Sequence, residues 1–187
     1  MTLPSKYITL LLGLVLVSTS FLFFGRQQDT YLILNIGGLA TALIAYLTIL
    51  FGKGHIKIKS FWTAIVILSV IVQQFAEPII IDSSYLIYIR QNKSTLIEIN
   101  NILLQKSGDI TVSADTVITK NDSLTTDETS RLRTDREKLG VYHIAKYDKG
   151  VYYGLWGFLD VRLGIAFLPG KRKSDNQYRH LTGNWFR

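Results

Sequence analysis

Hydrophobic residues first come in unbroken runs and later in alternation, and that change divides the chain. Residues 7–24 and 31–51 carry no charge, and residues 61–81 carry one, Glu77. A hydrocarbon core about 30 Å thick takes about 20 helical residues to cross. A helix that is apolar on every side for that length has no polar face to show to water. The pattern predicts three transmembrane helices over these runs. The first run also has the parts of a signal peptide, with Lys6 as a basic start and Ser18-Thr19-Ser20 as small residues. It continues through Phe21, Leu22, Phe23 and Phe24, which favours an uncleaved helix.

Beyond these runs the periods shorten. Residues 85–90 are aromatic and β-branched, and read as a strand or as the tail of the third span. Thr95 and Glu98 have the spacing of a capping box. Ile97, Ile99, Ile102 and Leu103 follow as a helical stripe, which Lys106 and Gly108 close. Residues 110–120 alternate in part, as a strand or hairpin would. Residues 121–138 are polar with no apolar period and read as a mobile loop, or as a short helix around 128–139. Residues 141–147 alternate clearly, Asp148-Lys149-Gly150 is a hairpin turn signal, and residues 151–158 and 161–168 read as further strands. Pro169-Gly170 breaks the last of them.

The expected architecture is therefore an integral membrane α-helical region, residues 1–82, followed by a small C-terminal α+β domain with antiparallel strands, residues 83–187. Residues 151–168 also resemble a fourth span with a basic end. Asp160 and Arg162 near its centre would each cost a few kcal/mol to insert, and Gly154, Gly157 and Gly164 lower helix propensity. Strands are the better reading.

Charge adds an orientation. The formal net charge is +7 over 187 residues. Five of the 21 Lys and Arg precede Ser83, as do three of the 14 Asp and Glu, which leaves the C-terminal domain with 16 basic and 11 acidic residues. The link between the first two runs is neutral, whereas the second link holds Lys53, Lys57 and Lys59. The positive-inside rule places that link and the N-terminus in the cytoplasm and the C-terminal domain outside the plasma (inner) membrane.

Polar groups within the runs gather at one depth. Ser18, Asn35, Gln73, Gln74 and Glu77 fall in the outer halves, and Gln73 and Glu77 share a helix face. An intramembrane carboxylate is costly and marks a functional hypothesis, against which stands plain interhelical polar contact. Gly37, Thr41 and Ala45 recur at steps of four beside Gly38 and Ala42, so two helix backbones can approach closely there, within the chain or in a homo-oligomer.

Catalytic signatures do not emerge from the sequence. With no cysteine and only three histidines, His55, His143 and His180, it shows no metal-ligand spacing, and it has no phosphate-binding glycine loop. No metal and no cofactor is expected. His143, Asp148 and Asp160 lie close in sequence, but a lone strand histidine is usually structural. Lys171, Arg172, Lys173, Arg179 and Trp185 form a basic, aromatic tail suited to anionic headgroups or a partner's rim. Nucleic acid is not expected outside the membrane. Two functions remain. One is a non-catalytic anchor or accessory subunit whose domain binds another envelope protein. The other is a small membrane enzyme or transport element acting through Gln73 and Glu77.

Overall fold

A computed structural model describes residues 4–147, 150–158, 161–170 and 178–187. It holds five helices and seven strands: α1 Ser5–Ser20, α2 Gln28–Phe51, α3 Ile56–Gln91, α4 Lys93–Leu104, β1 Asp109–Ser113, β2 Val117–Lys120, α5 Thr126–Leu139, β3 His143–Tyr147, β4 Gly150–Phe158, β5 Val161–Phe167, β6 His180–Thr182 and β7 Trp185–Phe186. The chain forms two compact units, Met1–Ser84 and Tyr85–Arg187.

In the first unit, α2 and α3 are long and apolar enough to cross a membrane, while α1 is a shorter apolar helix. At 1.5 Å per residue the 16 residues of α1 span about 24 Å, short of a bilayer core. This differs from the helix expected over residues 7–24. Ser18, Thr19 and Ser20 turn their hydroxyls onto carbonyls of the preceding turn, at 2.9, 2.9 and 2.7 Å, a habit that bends helices. The amides of Leu22 and Phe23 then bond three residues back, and Gly25 takes φ +70°, so the apolar run ends in a tight turn. By contrast α3 overruns its expected end at residue 81. Its 36 residues span about 54 Å and run through Pro78, so residues 85–90 are helix and not strand.

Glycine sets the contact of α1 with α2. A Cβ on Gly13 would lie 2.6 Å from the Ala42 amide nitrogen and 2.8 Å from the Gly38 carbonyl. One on Gly38 would lie 2.9 Å from the Gly13 carbonyl. Around this seam Leu10, Ala42, Ala45, Ile49 and Trp62 are buried. Trp62 stacks on Tyr7 with centroids 4.7 Å apart, and the Tyr46 and Thr63 hydroxyls meet at 3.1 Å.

The second unit is an antiparallel sheet in the order β2-β1-β3-β4-β5-β7-β6. Ile110, Val112, Ile144, Val151, Tyr153 and Ile165 share one face by register and are buried. Leu96, Ile99 and Leu103 of α4, with Leu132 and Leu139 of α5, complete the buried set. Lys146 is also buried, its ammonium donating to the Gly108 carbonyl at 2.8 Å. A bulge at Leu155 shifts the β4–β5 register from Gly154↔Gly164 to Trp156↔Leu163. Residues 151–158 and 161–167 are thus strands and not a spanning helix.

Two helix starts differ from expectation. α4 begins at Lys93 with Asn92 as cap and no side-chain cap bond. Thr95 therefore lies inside the helix and is buried, and Glu98 pairs with Arg131 at 2.8 Å instead. The capping box belongs to α5: Thr125 Oγ1 accepts from the Glu128 amide at 3.2 Å, and Glu128 accepts from the Thr125 amide at 2.8 Å. Gly140 closes α5 in the left-handed region, φ +66°. Of the two readings of residues 121–138, a mobile loop or a short helix around 128–139, the structure shows the helix, starting two residues earlier at Thr126.

Candidate functional site

The helical polar residues are brought together in pairs. Gln73 Nε2 donates to Ser18 Oγ at 2.9 Å and reaches the Leu14 carbonyl at 3.4 Å. Asn35 Nδ2 donates to Ser20 Oγ at 3.1 Å. Gln74 is exposed and Glu77 half-buried, and among the described residues no cation lies within ion-pair distance of Glu77. Gly38, Ala42 and Ala45 are buried toward α1. Gly37 has open space around it, and Thr41 returns its hydroxyl to the Gly37 carbonyl at 2.7 Å.

Of the basic tail, Lys171, Arg172 and Lys173 lie outside the described residues, as do Asp148 and Asp160 of the histidine trio. Arg179 is exposed, and its backbone exchanges two hydrogen bonds with Arg187 at 2.8 and 2.9 Å. Trp185 is a packing group within the sheet, 5.0 Å from the Phe167 ring and 5.8 Å from the Tyr153 ring.

Among the described residues the second unit has a concavity elsewhere, a cavity of about 420 Å³. Its tyrosines are Tyr85 from α3, Tyr147 from β3, Tyr152 and Tyr153 from β4, and Tyr178 before β6. His143 and Arg187 join them, with Leu163 and Ile165 of β5. Register explains the grouping. His143 pairs with Gly154, Gly154 with Gly164, and Tyr152 with both Ala145 and Ala166. A Cβ on Gly154 would strike the His143 ring, and one on Gly164 the Tyr153 carbonyl. Small residues in adjoining rows therefore leave room between the larger rings.

The rings form a succession. Tyr147 and Tyr152 have centroids 6.0 Å apart, and Tyr152 and Tyr178 6.2 Å, all tilted. The Thr111 and Tyr147 hydroxyls meet at 3.3 Å. Tyr153 donates to Asn100 Oδ1 at 2.7 Å. Burial, then the nearby Tyr88 and Asp135, push the Tyr153 phenol well above its usual range, so it stays a donor. Asp135 of α5 is itself buried, which raises its carboxyl, and the charge of Glu98 adds to the rise.

No protein-family model, curated protein or solved structure matches this chain.

The functional reading rests on the residues alone. Aromatic walls with a few convergent polar groups are the usual make-up of a binding pocket. Sequence reasoning missed Tyr147, Tyr152 and Tyr178 as a set. The available signal was the Asp148-Lys149-Gly150 motif in the sequence, which predicts a hairpin with Tyr147 and Tyr152 on neighbouring strands.

Proposed function

We propose that the chain is a multi-pass plasma-membrane protein with three spans and a cytoplasmic N-terminus. Its C-terminal sheet domain faces the extracytoplasmic side and binds another envelope protein, as a non-catalytic anchor or accessory subunit. The tyrosine-lined cavity carries this reading. Tyr and Arg are the residues that anchor interfaces in desolvated pockets, and both line it. The lengths of α2 and α3 support the membrane part, as do Lys53 in the link between them and Lys57 and Lys59 in the first turn of α3. The apolar turn after α1 extends its reach, and bilayers thin around short helices.

The test is a thiol map joined to crosslinking. Single cysteines at Ser60 and Ser130 of this cysteine-free chain are labelled on intact cells with an impermeant reagent. Ser130 labels and Ser60 does not. A photo-crosslinking residue at Tyr147, which is 44% exposed, then captures a discrete protein adduct. Labelling at Ser60, or the absence of any protein adduct, overturns the reading. The competing reading, catalysis or transport through Gln73 and Glu77, has less support because Gln73 is engaged by Ser18. Under the anchor reading Glu77→Gln behaves as wild type while truncation after Lys93 abolishes function.

A further inference from the structure

We propose that the groove between α2 and α3 holds one anionic phospholipid, with its phosphate on Lys59 and an acyl chain along the apolar floor, and this rests on reading α2 and α3 as membrane spans. The groove has a volume of about 450 Å³, within the usual range of small-ligand sites. On α3 its lining recurs at short helical steps, with Lys59, Ser60, Thr63, Ala64 and Ile67, so one face of the helix makes the wall. Leu50, near the end of α2, lines it from the other helix.

That face changes character along its length. Lys59 and Ser60 lie next to the link, and Ala64 and Ile67 lie further in. Thr63 stands between them and is already engaged: its hydroxyl donates to the Lys59 carbonyl at 2.9 Å and meets the Tyr46 hydroxyl at 3.1 Å. The polar groups open to a ligand are those at the mouth. A charged end above an apolar floor is the outline of a phospholipid. Lys59 is half-buried, and lysine is the side chain that lays its stem on an apolar wall while its ammonium stays at headgroup level.

Charge selects the sign. Lys53, Lys57 and Lys59 gather at this end of the unit, and a Cβ on Gly52 would lie 3.7 Å from Lys6 Nζ, so Lys6 joins them. Over residues 1–76 the one acidic residue is Asp29, in the first turn of α2 and so at its far end. Among the described residues none of the four lysines is in an ion pair. The free carbonyls ending α2 offset only about half a charge, which leaves most of the positive charge uncompensated. Basic pockets between membrane helices take anionic headgroups. Phosphatidylcholine would bring its own quaternary ammonium against the same lysines.

The test is native mass spectrometry of the full chain in neutral detergent, titrated with phosphatidylglycerol or with phosphatidylcholine of the same acyl chains. The first phosphatidylglycerol binds at least tenfold tighter, the size expected of one charge-assisted contact. Lys59→Gln abolishes that preference. Lys53→Gln, in the exposed link and outside the groove, lowers it only about twofold, as a screened surface charge does. Ala64→Trp fills the floor, leaves every charge in place and also abolishes retention, with circular dichroism showing that the helices persist. Millimolar glycerol phosphate does not displace the lipid.

Equal retention of the two lipids overturns the proposal, as does an unchanged preference in Lys59→Gln. Equal losses in Lys59→Gln and Lys53→Gln overturn it in favour of diffuse surface charge, and displacement by glycerol phosphate overturns it in favour of a soluble phosphate. Selective retention together with outside labelling at Ser60 keeps the lipid site and refutes the orientation proposed above. A protected Ser60 with no anionic preference keeps the orientation and refutes the lipid site.

Discussion

Gly37 on α2 and Gly13 on α1 should respond to a methyl group in opposite directions. Gly38 faces α1, and its partner there is Gly13. A Cβ on Gly13 would sit 2.6 Å from the Ala42 nitrogen, where ordinary contact begins near 3.4 Å, so α1 and α2 must part by about 0.8 Å. The obstacle is backbone and cannot rotate away. A gap of that size forfeits about a quarter to a half of each dispersion contact along the seam. Overpacking of this kind costs about 1–3 kcal/mol. Gly37 meets nothing within 4 Å, so Gly37→Ala keeps only the helix-propensity gain of up to about 1 kcal/mol. That gain is common to both substitutions and cancels in their difference. The expected gap in stability between Gly37→Ala and Gly13→Ala is thus about 1–3 kcal/mol, or about 5- to 150-fold in the equilibrium constant. Reversible unfolding in mixed micelles, followed by the fluorescence of Trp62 stacked on Tyr7, measures it. Equal midpoints for the two variants would refute the close-packed seam.

Three further outcomes follow from the second unit. Tyr153→Phe leaves the buried Asn100 oxygen without its donor and costs about 1–3 kcal/mol in chemical denaturation, and part of that cost is recovered when Asn100 is also replaced. Asp122 accepts from the Ser123, Ser107 and Gly108 amides, which pulls its carboxyl down from 3.8 to about 2. The contribution is fully present above pH 3.8 and lost as pH falls toward about 2, so thermal melts of wild type and Asp122→Asn should differ at pH 5 and converge near pH 2. Thr125→Ala removes the capping box of α5 and costs about 1 kcal/mol, seen as faster hydrogen exchange along Thr126–Leu139.

The long helices and the central strands were legible because each obeys one strong period. α5 was legible only as the alternative to a loop, since of its 14 residues only Leu132, Asp135 and Leu139 are buried. Its evidence in sequence was at its ends, in Thr125, Glu128 and Gly140, and an equally good box at Thr95 and Glu98 went unused because tertiary packing buries Thr95. The early end of α1 depends on three hydroxyls and one glycine that hydropathy does not weigh. The polar pairs between helices were legible in outline, because depth is set by position in the run. Which donor meets which oxygen depends on helix rotation, which hydropathy leaves open. The cavity draws on residues from Tyr85 to Arg187. Strand order and the Leu155 bulge assemble it, and neither has a local signature in the sequence.

The sheet also ends in a particular way. Its outermost strands are its shortest apart from β7, four residues in β2 and three in β6, with Lys120 finishing the first. Unpaired edge groups invite another chain to add a strand, and short or charged edges limit that invitation. For a chain that α2 and α3 hold in a membrane, as proposed above, molecules would meet repeatedly in two dimensions, at local densities that a dissolved protein does not reach. Under that confinement blunt edges would keep repeated encounters from growing into a continuous intermolecular sheet.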